Sequence, residues 1–176
     1  SDVRKKIKLY DKEKITLVFD KGNNSEDNFK AIRGHYFVGA LTKNKEEAQD
    51  LIGAKNKFCY TNNNGNDIYS VSKEAEVYGI KCKIVVSYNK ELEKKQLHGL
   101  EEKIAKTQLK FQEIDHLFKS EKTAINAMNS ILPKKQNAFE YEIKKEGKKF
   151  RVGLKLSTEK LSEYRKCSGK NVIFTN

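Results

Sequence analysis

The sequence predicts a mixed α/β (α+β) fold with one strand–helix–strand unit, several antiparallel strands and a long helix or helical hairpin. Residues 15–41 hold two short apolar runs on either side of a helix-like segment. Residues 57–88 and 139–156 alternate apolar and polar side chains, as half-buried strands do. Residues 90–132 keep apolar side chains at three- and four-residue spacing, which is the helical period.

The first strand is predicted over residues 15–20, where apolar and partly β-branched side chains end abruptly at Asp20. A polar turn follows, and Ser25 or Asn24 then caps a helix predicted over 25–33. Acidic residues in its first turn suit the positive end of the helix dipole. Upstream of the strand, residues 1–14 resemble the end of a helix followed by a polar turn.

The second strand is predicted over residues 36–41, just after Gly34, which stops the helix. Short connections between strand, helix and strand predict a right-handed crossover in a parallel or mixed sheet. Asp20 then lies at one edge of that sheet, where a metal ion or a phosphate can reach a carboxylate. The alternative is that Asp20 only caps the turn or pairs with Lys21, and the residue pattern leaves both open.

Residues 43–88 do not continue the strand–helix–strand pattern of residues 15–41. A short helix is predicted over 43–53, and then about three antiparallel strands over 57–88. The run Asn62 to Asn66 and Gly79 mark the turns between those strands.

The long helical segment carries a heptad-like apolar stripe that ends at Pro133. Either one helix runs over 90–132, or the helix breaks near residues 119–122. We favour the break, because Ser120 can cap a second helix over 121–132. The large, uneven side chains of the stripe favour packing within the chain over a protruding arm that dimerises or grips DNA.

The remaining segment predicts a hairpin over 139–156, turning at Glu146 and Gly147. A short helix from Ser157 to about Arg165 and a last strand over 171–175 follow.

The charge balance points to an anionic partner. The chain of 176 residues has 36 basic and 24 acidic residues, a formal net charge of +12. Such a charge favours nucleic acid or an anionic surface, although a solvated lysine-rich surface is the alternative. No apolar run approaches the roughly 18 residues that span a bilayer, so we expect no membrane partner. No signal peptide is visible.

The cysteines and histidines do not form a recognisable site. Cys59, Cys82 and Cys167 are odd in number and widely spaced, which fits a reducing cytoplasm and argues against zinc. The three histidines lack the i+3 or i+4 partners of a metal motif, so structural or surface roles are expected for them.

Four stretches resemble one known family. They are LVFDKGNNSEDNF (17–29), HYFVGAL (35–41), EVYGIKCKIVVSYNKELEKKQLHGLE (76–101) and GKNVIFTN (169–176). In this order they resemble insertion-sequence DDE transposases, in the branch with a long insertion between the second catalytic Asp and the catalytic Glu. The resemblance covers well under half of the chain, but it extends from one end to the other.

The resemblance implies a partial ribonuclease H-like sheet. Residues 1–42 would belong to the catalytic core, residues 43–168 to the insertion, and residues 169–176 to a returning core strand. The strands at 15–20, 36–41 and 171–175 would then share one sheet. Pairing of 171–175 with the strands of 57–88 instead would remove the main structural support for this expectation.

The resemblance also implies metal-dependent DNA cleavage and strand transfer. Asp20 matches the second catalytic Asp and would be a ligand for Mg²⁺ or Mn²⁺. The first Asp has no counterpart, since neither Asp2 nor Asp11 follows an apolar strand. The expected Glu lies beyond residue 176, because Glu163 precedes the last strand and lacks the family's spacing. We therefore expect a fragment that carries one of the three catalytic carboxylates and is inactive by itself. The parent protein is expected in the cytoplasm, and whether it forms a homo-oligomer is left open.

DNA is the expected partner. Lys21 is a plausible phosphate neighbour beside Asp20. The hairpin over 139–156 carries the other candidate contacts, which are Lys144, Lys145, Lys148, Lys149 and Arg151. The alternative function is a non-catalytic basic module for DNA binding or assembly, in which Asp20 is only a turn residue.

Overall fold

A computed structural model describes residues 16–32, 34–133 and 137–176. The predicted helix end over 1–14, together with Ile15, lies outside the described residues. The described part divides into two compact units, one formed by residues up to 92 together with 169–176, and one formed by 93–168. Both units mix helices with strands, which confirms the predicted fold class.

The described residues form nine strands and five α-helices. The strands are β1 (Thr16–Phe19), β2 (Tyr36–Leu41), β3 (Lys57–Thr61), β4 (Asp67–Val77), β5 (Ile80–Asn89), β6 (Leu117–Phe118), β7 (Phe139–Glu146), β8 (Lys149–Leu156) and β9 (Lys170–Thr175). The helices are α1 (Glu26–Ala31), α2 (Glu46–Gly53), α3 (Lys90–Glu113), α4 (Glu121–Ile131) and α5 (Thr158–Cys167). None of these helices is both long and apolar enough to cross a membrane.

The first unit is built on a six-stranded sheet with the strand order β1-β2-β9-β5-β4-β3. β1 and β2 are parallel and are joined through α1, as predicted. The Ser25 hydroxyl caps α1 by accepting from the Asn28 amide at 3.2 Å. Gly34 follows the helix with a φ of +94°, a conformation that favours glycine.

β9 lies between two strands that the sequence placed in different domains. It pairs antiparallel with β2 on one side and antiparallel with β5 on the other, so β1, β2 and β9 share one sheet as predicted. The strands of 57–88 therefore continue the sheet that holds β1 and β2, although the sequence assigned them to an insertion expected to be at least partly separate from that sheet. The second compact unit begins at Glu93 rather than at residue 43.

One face of this sheet is covered by α1 and α2, and we call it the helix face. Its centre is a cluster of aromatic rings from Phe19, Phe29, Phe37 and Phe174, with centroids 5.2–6.3 Å apart. Gly39 is required there, because a Cβ atom would lie 2.6 Å from the Phe19 ring and 2.7 Å from that of Phe174. The helix face is therefore closely packed.

The opposite face, which we call the open face, carries the other side chains of the same strands. Val18 is 80% exposed and Tyr36 is 50% exposed. Val38, Val85 and Ile173 are partly exposed. Among the described residues, the side chains of the helix face are thus more deeply buried than those of the open face.

The second unit confirms the predicted break in the long helix. α3 ends at Glu113, β6 follows, and the Ser120 hydroxyl caps α4 by accepting from the Thr123 amide at 3.2 Å. The three-stranded sheet β6-β8-β7 packs against α4 through Met128 and Val152. The apolar stripe therefore packs within the chain along α4, as favoured above.

Candidate catalytic carboxylate, basic hairpin and aromatic row

Asp20 follows directly on β1, at the carboxyl end of that strand. Its side chain is exposed, and the alternation of strand residues places it on the side of the open face. The Asp20 carboxylate accepts a hydrogen bond from the Gly22 amide at 3.0 Å and so caps the short 3-10 turn Lys21–Asn23. The turn-capping role that the sequence left open is therefore present, and the metal-binding role stays a prediction.

The turn after Asp20 is tied to the sheet. The Asn24 side-chain amide donates to the carbonyl of Ala40 on β2 at 2.8 Å. The Asn24 side-chain oxygen is buried with no hydrogen-bond partner. Lys21 is exposed beside Asp20 in the same turn. This anchoring holds the turn against the end of β2.

The residues around Asp20 do not form a complete metal centre. Within the described ranges, no group of three or more His, Cys, Asp or Glu side chains is placed to hold a metal ion. Two divalent ions require several carboxylate ligands, so the described residues do not by themselves fit the centre that the resemblance implies. Asp20 could supply a single ligand there, and no catalytic step follows from it alone.

Some of the basic side chains of the hairpin β7–β8 form ion pairs with carboxylates of the same hairpin. Lys144 forms an ion pair with Glu142 at 2.9 Å, and Arg151 forms one with Glu146 at 2.7 Å. The hydrogen bond from Arg151 lowers the pKa of Glu146 and raises the pKa of Arg151. Two of the five predicted hairpin contacts are thus engaged with carboxylates.

Three lysines remain at or near the tip of the hairpin. Lys145, Lys148 and Lys149 are exposed and form no ion pair within the described residues. The antiparallel register places Glu140 opposite Lys155, on the same face as the paired residues. The pair between Glu146 and Arg151 joins residues on either side of the turn, so it forms only when the strands pair. Glu142 and Lys144 are two residues apart on β7, so their pairing is local.

The sequence analysis also missed a row of aromatic side chains across three strands. Phe58 of β3 pairs with Tyr69 of β4, and Tyr69 pairs with Tyr88 of β5. Their ring centroids are 5.9 Å apart between the first two and 6.2 Å apart between the last two. The register of the hairpin between β3 and β4 was the missing information, because it decides which aromatic residues become neighbours.

Comparisons of the chain with protein-family models, with curated proteins and with solved structures gave no match. The resemblance to DDE transposases therefore rests on the four stretches quoted above.

Proposed function

We propose that this chain is part of a DDE-type DNA transposase, in which Asp20 is one of three metal-binding carboxylates. The observation that carries the proposal is the position of Asp20. It is exposed at the carboxyl end of β1, and α1 joins β1 to the parallel neighbour β2. Carboxylates in such positions can meet at one edge of a sheet when further strands or helices supply the others.

DNA is the proposed partner, and Mg²⁺ or Mn²⁺ is the proposed cofactor of the parent protein. The net charge of +12 supports DNA as the partner. Lys21 lies beside Asp20, where a scissile phosphate would approach. Cys59, Cys82 and Cys167 are free thiols, which fits the proposed cytoplasmic location. A homo-oligomer of the parent is also part of this hypothesis.

The second candidate is a non-catalytic basic module for DNA binding or assembly. Two observations favour it, namely the turn-capping bond of Asp20 and the lack of a three-ligand cluster among the described residues. The two candidates differ in what they require of Asp20, since only the transposase needs it to bind a metal ion.

Mn²⁺ titration followed by nuclear magnetic resonance separates the two candidates. If Asp20 is a ligand, Mn²⁺ broadens the backbone signals of residues 20–22 at lower concentration than those near other exposed carboxylates. The variant Asp20→Asn should remove this effect, and Asp27→Asn should leave it in place. Uniform broadening around all acidic residues, or an unchanged pattern in Asp20→Asn, would favour the non-catalytic module.

A nuclease assay adds a second expectation. The chain alone should show no DNA cleavage or strand transfer with Mg²⁺ or Mn²⁺, because one carboxylate cannot hold two ions. Robust cleavage that is lost in Asp20→Ala would show that the remaining ligands lie within these 176 residues.

Duplex DNA binding tests the basic hairpin. We expect weak, sequence-independent binding, with a slope of log K against log salt of about −4 for four or five phosphate contacts. Replacing Lys144, Lys145, Lys148 and Lys149 with Gln should abolish most of it. Glu142→Gln should strengthen binding, because it releases Lys144 from its ion pair. Binding that is unchanged in the quadruple variant would exclude the hairpin.

A further inference from the structure

A small pocket opens beside Tyr69, the middle ring of the aromatic row formed by Phe58, Tyr69 and Tyr88. It lies entirely within the first compact unit and has a volume of about 260 Å³. The turn between β3 and β4 forms one wall, and the first residues of α3 form the other. The polar side chains that line it are Asn66, Asp67, Asn89, Lys90 and Glu91.

Hydrogen bonds fix both walls of this pocket. The Asn62 side chain accepts from the amides of Asn64 and Asn66 at 3.0 Å each, which shapes the turn. The Thr61 hydroxyl donates to the Asp67 carboxylate at 2.8 Å. On the opposite wall the Asn89 side chain accepts from the Glu91 amide at 2.9 Å. The pocket is therefore organised before any ligand arrives.

The lining suits a flat group that can donate hydrogen bonds. Tyr69 supplies an aromatic surface, and Asp67 supplies a carboxylate that accepts hydrogen bonds. The carboxylates of Asp67 and Glu91 would repel a phosphate, so a phosphate is not the group that enters. The volume is below the roughly 300–1,000 Å³ of pockets for drug-sized ligands, which suits a single base.

The surroundings of the pocket indicate that the base belongs to a nucleic acid strand. Phe58, the next ring in the row, is 59% exposed and offers a second stacking surface. Lys90 lies at the pocket, so a cation is placed where a backbone would pass. Cross-strand aromatic pairs also stabilise sheets, but that role does not require an exposed Phe58 ring.

We propose that the Tyr69 pocket binds one unpaired base of single-stranded DNA, with a neighbouring base stacked on Phe58. Asp67 accepts a hydrogen bond from the exocyclic amino group of the base in the pocket. Cytosine, adenine and guanine carry such a group and thymine does not. Duplex DNA cannot enter in this way, because its bases are stacked on one another. The proposal does not require Asp20 to bind a metal ion.

The main test is fluorescence anisotropy with short labelled oligonucleotides of cytosine or thymine at low salt. We expect the cytosine strand to bind about fivefold more tightly than the thymine strand, because of the contact with Asp67. Tyr69→Ala should weaken binding of the cytosine strand about tenfold, and Tyr69→Phe should restore it. The matched control is Tyr60→Ala, because Tyr60 is an exposed ring of the adjacent strand that pairs with Ile68 instead.

A tryptophan probe keeps the test informative if Tyr69→Ala does not fold. The natural chain contains no Trp, so Tyr69→Trp introduces a single fluorophore that can still stack on a base. We expect its emission to be quenched along the same titration curve as the anisotropy. Strand binding without any change in this emission would overturn the proposal, and so would equal quenching of this emission by the duplex of the same sequence.

The hydrogen bond to the base has its own test. Asp67→Ala should abolish the preference for cytosine over thymine. Thr61→Val removes only the hydroxyl that donates to Asp67, so the preference should persist in that variant. A preference that survives in Asp67→Ala, or equal binding of both strands by the natural chain, would overturn the assigned role of Asp67.

Discussion

The two faces of the six-stranded sheet use the same strands but differ in packing. On the helix face, Phe29, Phe37, Ile84 and Phe174 are at most 1% exposed. On the open face, Val18 is 80% exposed. The comparison suggests that the helix face provides most of the stability of this unit. Substitutions on the open face, which includes the side of Asp20, should therefore change the free energy of unfolding little.

The largest effect is expected from Phe174→Ala on the helix face. The variant removes a ring that contacts four other rings, so the free energy of unfolding should fall by about 3–5 kcal/mol. Urea unfolding followed by circular dichroism measures this loss. The control is Ile173→Ala, at the adjacent position on the open face, which should cost roughly 1 kcal/mol because Ile173 is only partly buried. Equal losses for the two variants would contradict the difference between the faces.

A smaller loss is expected from Gly39→Ala. The added methyl group would overlap the rings of Phe19 and Phe174, and overpacking of this kind costs about 1–3 kcal/mol. Gly99→Ala in α3 should have the opposite sign. Beyond its own stretch of helix, no atom of the described residues lies within 4 Å of its added Cβ, and alanine is favoured over glycine in a helix by roughly 1 kcal/mol. Thermal unfolding of both variants checks the two signs, and a stabilising Gly39→Ala would show that the helix face has unused space.

Val18→Thr on the open face should change the free energy of unfolding by no more than about 0.5 kcal/mol. The Val18 side chain is already in contact with water, and threonine retains the β-branched shape that suits a strand. The same denaturant measurement applies. A loss of several kcal/mol would mean that the open face is buried in solution, for example between copies of the chain.

The smallest effect concerns an exposed ion pair at the edge of the helix face. Lys73 donates to Asp50 at 2.7 Å and lowers the pKa of Asp50. A carboxylate with a lowered pKa stabilises the fold above its unfolded pKa, and this stabilisation is lost as pH falls through the folded value. The difference in stability between the natural chain and Asp50→Asn should therefore shrink as the solution is acidified. Asp115→Asn, at an exposed carboxylate outside the helices that forms no such ion pair with the described residues, is the control. A constant difference across the acid range would contradict this account.

Local signals in the sequence predicted most of the individual elements. Ser25 and Ser120 cap helices where expected, because a hydroxyl bonds to an amide only three residues away. Gly34 and Gly79 have positive φ at the predicted chain reversals. Asp20 was located at the end of β1 by the same kind of evidence, since an apolar run and its end can be recognised within a few residues.

Tertiary structure alone decided how the elements combine. The pairing of β9 with β5, the ion pair between Glu146 and Arg151 and the row from Phe58 to Tyr88 all depend on strand pairing. Many pairings preserve the same alternation of apolar and polar side chains, so a single sequence does not select among them. The sequence by itself therefore determined where strands and helices form and where a candidate carboxylate lies. Packing of the whole chain determined which residues became neighbours, because strand pairing and burial join residues that are far apart in sequence.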